Sequence, residues 1–156
     1  MFKNILSIIL VGLTMHLAGC QNKTVFTTFA DTIISNNPDK LKLEVMYFHI
    51  TDRCQACYQI EENLRATMFR YFKKQMKRGE IDLYILNCEL EENQELVLKY
   101  DAFGSALVLT PYYQGTELET EDISAWSFQM SGNKKLFVKE LREMIKSHLK
   151  YKPSKG

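Results

Sequence analysis

Almost no net charge is left on this chain. Its 20 Lys and Arg residues face 19 Asp and Glu, for a net charge of +1. That balance removes the general electrostatic argument for binding nucleic acid or an anionic membrane surface. Histidine is scarce, at three residues, and the seven methionines are scattered. No His-rich or Met-rich tract therefore marks a metal carrier. No pattern for binding flavin or nicotinamide is present, and the sequence calls for no cofactor. Internal repeats and low-complexity segments are missing too, which excludes a repeat architecture. The longest apolar run, Ile5 to Leu13, is too short to span a bilayer comfortably.

That run has another use. Lys3 gives the segment a positive start, and Leu17-Ala18-Gly19-Cys20 closes it with small residues before a cysteine. The pattern is that of a secretory leader ending in a bacterial lipobox. The expected processing removes residues 1–19 and leaves Cys20 acylated, so that the protein attaches to a membrane of the cell envelope through its lipid. Several acyl chains on one cysteine exceed the marginal hold of a single chain. An ordinary cleavable signal or a short anchor is the plainer alternative. Residues 20–40 read as a tether, 41–149 as one domain large enough for a real core, and 150–156 as a frayed tail.

Of the four cysteines, assigning Cys20 to lipid leaves Cys54, Cys57 and Cys88. The envelope permits disulfides. Three is an odd number, so a fully paired static framework cannot form within one chain. Cys54-Gln55-Ala56-Cys57 follows an apolar run from Leu41 to Ile50 and opens an amphipathic stretch from Cys57 to Arg78. Two thiols at the start of a helix close and reopen a small ring easily, and the helix end favours thiolate. The unit therefore reads as exchange chemistry.

The remaining pattern supplies the frame. Leu41 to Ile50 is a strand, almost continuously apolar from Val45, as a central strand covered on both faces should be. Ile60, Leu64, Met68, Tyr71, Phe72 and Met76 form one helical face, and Gly79 ends that helix. Ile81 to Leu86 is a second strand and Glu91 to Tyr100 a shorter helix. Ala106 to Leu109 is a third strand. Tyr112 to Gly115 turns the chain into a fourth, around Thr116 to Glu119. A last helix carries Phe137, Leu141, Met144, Ile145 and His148 on its apolar face.

This order, β-α-β-α-β-β-α with CxxC at the first strand-to-helix junction, resembles the thioredoxin fold. The resemblance implies an α/β domain whose central mixed four-stranded sheet is flanked by helices. The string Tyr47-Phe48-His49-Ile50-Thr51-Asp52-Arg53-Cys54-Gln55-Ala56-Cys57 is similar to the small envelope thioredoxin-like proteins catalogued as a nitrophenyl compound nitroreductase subunit family. What the resemblance implies is a thiol–disulfide oxidoreductase with a protein or small-thiol redox partner. Cys54 would be the exposed nucleophile, its thiolate favoured by the helix end and by Arg53. Cys57, one turn in, would resolve the mixed disulfide.

The chain also departs from the family. Gln55-Ala56 stands for the usual Gly-Pro, and Arg53 for the usual Trp. Where a buried aspartate is usual, Tyr47, Phe48 or His49 falls, and His49 is either a substitute proton acceptor or a strand histidine bonded to backbone. Lining up Gly104 to Leu109 with the family strand puts Ser105 where a cis-proline belongs. Pro111 is then a turn residue, unless Thr110-Pro111 is the loop instead. Cys88 is a buried small hydrophobe, a third redox thiol or a ligand. On paper Cys54, Cys57, Cys88 and His49 make a Cys3His set for zinc, and two thiolates suffice for Cu(I). A third class of function is a non-catalytic binding module presenting Tyr112, Tyr113, Trp126 and Phe128.

Overall fold

A computed structural model describes residues 41–150. The leader, Cys20, the tether and the final tail from residue 151 lie outside the described residues. Strand β1 (Leu41–His49) runs through the middle of the sheet. Its partner on one side is β2 (Ile81–Asn87), parallel, with Leu43 opposite Ile81 and His49 opposite Asn87. On the other side lies β3 (Ala106–Tyr113), antiparallel, with Phe48 opposite Ala106. Two short strands, β4 (Thr116–Glu117) and β5 (Glu121–Asp122), both pair with the far edge of β3. This is the thioredoxin-like α/β architecture, with β5 as a strand beyond the four anticipated.

Alternation along β1 divides the core. Leu43, Val45 and Tyr47 face one layer with Ile60, Leu64 and Met68 of helix α1 (Gln55–Tyr71) and Phe137, Leu141 and Ile145 of the last helix, Lys134–Lys150. Met46 and Phe48 face the other way, onto Val97 of a short helix, Gln94–Lys99. A strand buried on both faces loses its polar alternation, which is why β1 reads as a continuous apolar run.

Three elements differ from the sequence expectation. The amphipathic stretch after the cysteines is two helices, α1 and α2 (Lys73–Lys77), broken at Phe72, whose φ is −119°. Phe72 is 2% exposed and keeps its place in the core, so the apolar spacing runs straight through the break. The short helix of Glu91 to Tyr100 begins with a 3-10 turn (Glu91–Asn93) before α3 (Gln94–Lys99). Between β5 and the last helix, α5 (Lys134–Lys150), lies an unanticipated helix, α4 (Ser124–Met130).

Pro111 is not a turn residue; it lies inside β3, opposite Leu43. Its carbonyl accepts from Leu118 N at 2.8 Å, so its amide side faces outward from β1. Leu43 N in turn bonds Glu80 O. The missing proline N–H therefore removes nothing from the β1–β3 ladder. The turn itself is Gln114-Gly115, both at positive φ, 53° and 78°. A two-residue hairpin with both central residues left-handed matches the twist of its strands.

Helix ends aim the chain at the cysteines. Gly79, at φ 66°, ends α2, with Glu80 N bonded to Gln75 O and Gly79 N to Met76 O. That paired closure turns the chain into β2. Asp101, at φ 51°, closes α3 in the same way, through Ala102 N to Val97 O. Aspartate tolerates this conformation better than most residues. The turn sends residues 102–105 back towards the C-terminal end of β1.

Candidate functional site

Because β1 and β2 are parallel and β3 is antiparallel, the end of β1, the end of β2 and the start of β3 share one sheet edge. That topology gathers Cys54, Cys57, Cys88 and Ser105 at one edge, although they are far apart in sequence. The loop from β1 is tied to the end of β2. Thr51 N donates to Glu89 Oε2 and Asn87 Nδ2 to Thr51 Oγ1, both at 2.9 Å. Cys88 N donates to His49 O at 2.8 Å.

Cys54 is the N-cap of α1, with extended backbone, and its sulfur accepts from Cys57 N at 3.4 Å. A cap acceptor satisfies one of the helix's orphan donors. Negative charge on that acceptor is favoured by the helix dipole. Cys54 is exposed, and Cys57, one turn later, is buried. The two sulfurs are 2.7 Å apart. Burial pushes the Cys57 thiol up, but hydrogen bonds from Cys54 and Ser105, helped by the Arg53 charge, outweigh it and hold the thiol below its ordinary value.

Arg53 is placed differently from the sequence expectation. Its Nη1 pairs with Glu61 at 2.6 Å and its Nη2 donates to the Cys57 carbonyl at 3.2 Å. The guanidinium also lies over the Tyr58 ring, 4.6 Å from its centroid. Both terminal nitrogens are thus engaged away from Cys54 Sγ. Arg53 clamps the first turn of α1 and acts on Cys57 through its charge. Two residues that sequence reasoning missed complete this clamp. Tyr47 Oη donates to the same Cys57 carbonyl at 2.9 Å. Glu61 holds Arg53 and also Arg65, at 2.6 Å. Burial pushes Glu61 up, but Arg65 and Arg53 outweigh it and hold the carboxyl below its usual range. The available signals were the alternation that turns Tyr47 toward α1 and the i, i+4 spacing of Glu61 and Arg65.

His49 does not serve the sulfurs. Its Nδ1 meets the carbonyl of Ile50 at 2.9 Å, which is the backbone-bonded alternative. Ser105 does reach the pair, with Oγ 3.3 Å from Cys57 Sγ, and among the described residues there is no cis peptide bond. Cys88 is 6% exposed, and its sulfur donates to the carbonyl of Gly104 at 3.2 Å. Burial pushes that thiol up. It packs with Met46, Phe48 and Leu86, as a small hydrophobe does.

The paper Cys3His set is not assembled. Among the described residues, no three of His, Cys, Asp or Glu come together in a way that could hold a metal ion. The aromatic residues considered for a partner surface are likewise separated by their packing. Trp126 packs against Phe137 with the rings tilted by 38° and centroids 4.8 Å apart, and donates to Glu140. Tyr112 bonds Glu117 across the hairpin, and only Phe128 is exposed, at 39%. The exposed aromatics nearest the site in sequence are Tyr58, next to Cys57, and Phe103, two residues before Ser105, 57% and 65% exposed.

No family model matches the chain, and no curated protein does. Among solved structures it is similar to a thioredoxin of Fasciola hepatica, at 20% identity over 70% of this chain and 83% of that one, with a TM-score of 0.42. It is also similar to thioredoxin f2 of Chlamydomonas reinhardtii, at 18% identity over 72% and 84%, TM-score 0.40. A thioredoxin of Trypanosoma brucei brucei matches at 17% over 72% and 83%, TM-score 0.35.

Proposed function

We propose that this domain is a thiol–disulfide oxidoreductase acting on a protein or small-thiol partner. The observation that carries the reading is an exposed cysteine capping a helix, with its sulfur 2.7 Å from a buried second cysteine. Cys54 thiolate attacks one sulfur of a partner disulfide and expels the other as thiolate. Cys57 then attacks Cys54, releasing the second partner thiol and leaving Cys54 and Cys57 joined. The same steps run backwards transfer a disulfide to a dithiol partner. No metal and no organic cofactor takes part in this sequence of steps.

Replacing the resolving thiol tests the reading. A Cys57→Ser chain expressed in its native host is expected to accumulate partners bound covalently to Cys54 and released by reductant. The doubly substituted Cys54→Ser, Cys57→Ser chain is expected to hold none. Equal capture by both chains would overturn the assignment.

We further propose that the domain works at the cell envelope, held to a membrane by acylated Cys20. The charged start, the short apolar run and the small residues before Cys20 support this. Fatty-acid labelling that persists in Cys20→Ser would overturn it. Kinship with the nitrophenyl compound nitroreductase subunit family rests on the string from Tyr47 to Cys57, and it carries no claim about a nitro substrate.

A further inference from the structure

Closure of the dithiol asks a buried group to lose a proton. Cys57 is 5% exposed, so water reaches its sulfur poorly. The polar contacts of that sulfur are Cys54 Sγ at 2.7 Å and Ser105 Oγ at 3.3 Å. The groups facing the site from the surrounding elements are otherwise engaged. His49 of β1 is bonded to the Ile50 carbonyl, and Tyr47 of β1 to the Cys57 carbonyl. Arg53 is held by Glu61, and Cys88 by the Gly104 carbonyl. Tyr47 also keeps its own proton. Burial pushes its hydroxyl up to about 12, against the opposing pull of Arg53 and Ser105.

A serine hydroxyl both donates and accepts. It accepts from Cys57 S–H in the thiol state and, by rotating, donates to Cys57 S⁻ once the proton has gone. We propose, resting on the exchange reading above, that Ser105 is a catalytic residue of the second step, its hydroxyl stabilising the Cys57 thiolate that attacks Cys54. In that step the Cys57 proton passes to solvent. The new Cys57–Cys54 bond forms as the bond from Cys54 to the partner sulfur breaks, and the departing sulfur keeps the electron pair. No outside oxidant or reductant is needed. On this reading Ser105, the residue just before β3, supplies a side chain to the chemistry.

The test separates the two steps. Reduced protein mixed rapidly with an aromatic disulfide releases one coloured thiolate when Cys54 attacks and a second when Cys57 closes the ring. In Ser105→Ala the second release is expected to slow roughly tenfold near neutral pH. That corresponds to a rise of about one unit in the Cys57 titration midpoint. The rate should recover as pH climbs past that midpoint, and the second release should be slowed by a larger factor than the first. Ser105→Thr, which restores the hydroxyl, should run near the native rate. The proposal is overturned if Ser105→Ala closes at the native rate, if its slowing is the same at every pH, or if threonine brings no recovery. Absence of the first release in the native protein would instead overturn the exchange reading itself, so the two failures are distinguishable.

Discussion

Cys54→Ala should reduce disulfide exchange to the uncatalysed background, a fall of roughly a thousandfold or more, on the scale of deleting a covalent nucleophile. The remaining thiols explain why no substitute is at hand. Cys57 is buried beneath the helix start, and Cys88 is buried with its sulfur donating to the Gly104 carbonyl. Thiol exchange requires thiolate and access together, and Cys88 has little of either. Cys88→Ala is therefore expected to leave the exchange rate within about twofold of native, which makes it the control for loss of a cysteine as such. Reduction of an aromatic disulfide by purified protein, followed by the colour of its product, measures both. Substantial exchange surviving in Cys54→Ala would remove the basis of the proposed function. The helix should persist in that variant, because the lost Cys54 cap contact is one sulfur hydrogen bond at 3.4 Å. A cap of ordinary strength contributes about 1 kcal/mol.

The cysteine pair was legible because its signal is local. A strand, a tight loop and an amphipathic helix flank it directly, and the i, i+3 spacing puts one sulfur at the helix cap and the other inside. Ser105 was legible only through the resemblance, by lining up Gly104 to Leu109 with the family strand, since nothing near residue 105 in the sequence points to a thiol. The clamp was not legible. Tyr47 and Glu61 are an ordinary strand aromatic and an ordinary helix acid until the fold brings Tyr47 to the Cys57 carbonyl and Glu61 to Arg53. Arg53 itself was assigned the right neighbourhood and the wrong contact, because sequence adjacency to Cys54 says nothing of where a long side chain turns. The break at Phe72 was hidden because Met68, Phe72 and Met76 keep helical spacing through it. Helix α4 was missed because seven residues are too few for periodicity to show. Its starting signal sits two residues early, in Asp122, whose Oδ1 accepts from Ser124 N at 2.8 Å. Pro111 reads as a turn signal in any sequence. Only the register shows that its missing donor faces away from β1.

Phe137→Ala is expected to lower unfolding stability by about 3–5 kcal/mol, the range for truncating a buried aromatic. Phe137 is fully buried where α5 meets the α1-facing side of the sheet. The Trp126 ring loses its tilted ring contact at 4.8 Å in the same change. The space cannot close readily, because Leu43 and Val45 are fixed in the ladder and Ile60 and Leu64 in α1. A domain of this size has a total stability of roughly 5–15 kcal/mol, so the variant should unfold at much lower denaturant or temperature. Phe137→Leu fills most of the volume and should lose less than about 1.5 kcal/mol. Denaturant titration reads both, and the slope with denaturant should stay constant. The link to the site is mechanical. Phe137 of α5 shares one core cluster with Ile60 and Leu64 of α1 and Val45 of β1, and Cys54 is the N-cap of α1. Under folding conditions the surviving native fraction should therefore exchange disulfides at the native rate per folded molecule, with total activity following the folded fraction. A loss below about 1 kcal/mol in Phe137→Ala would contradict this account of the core.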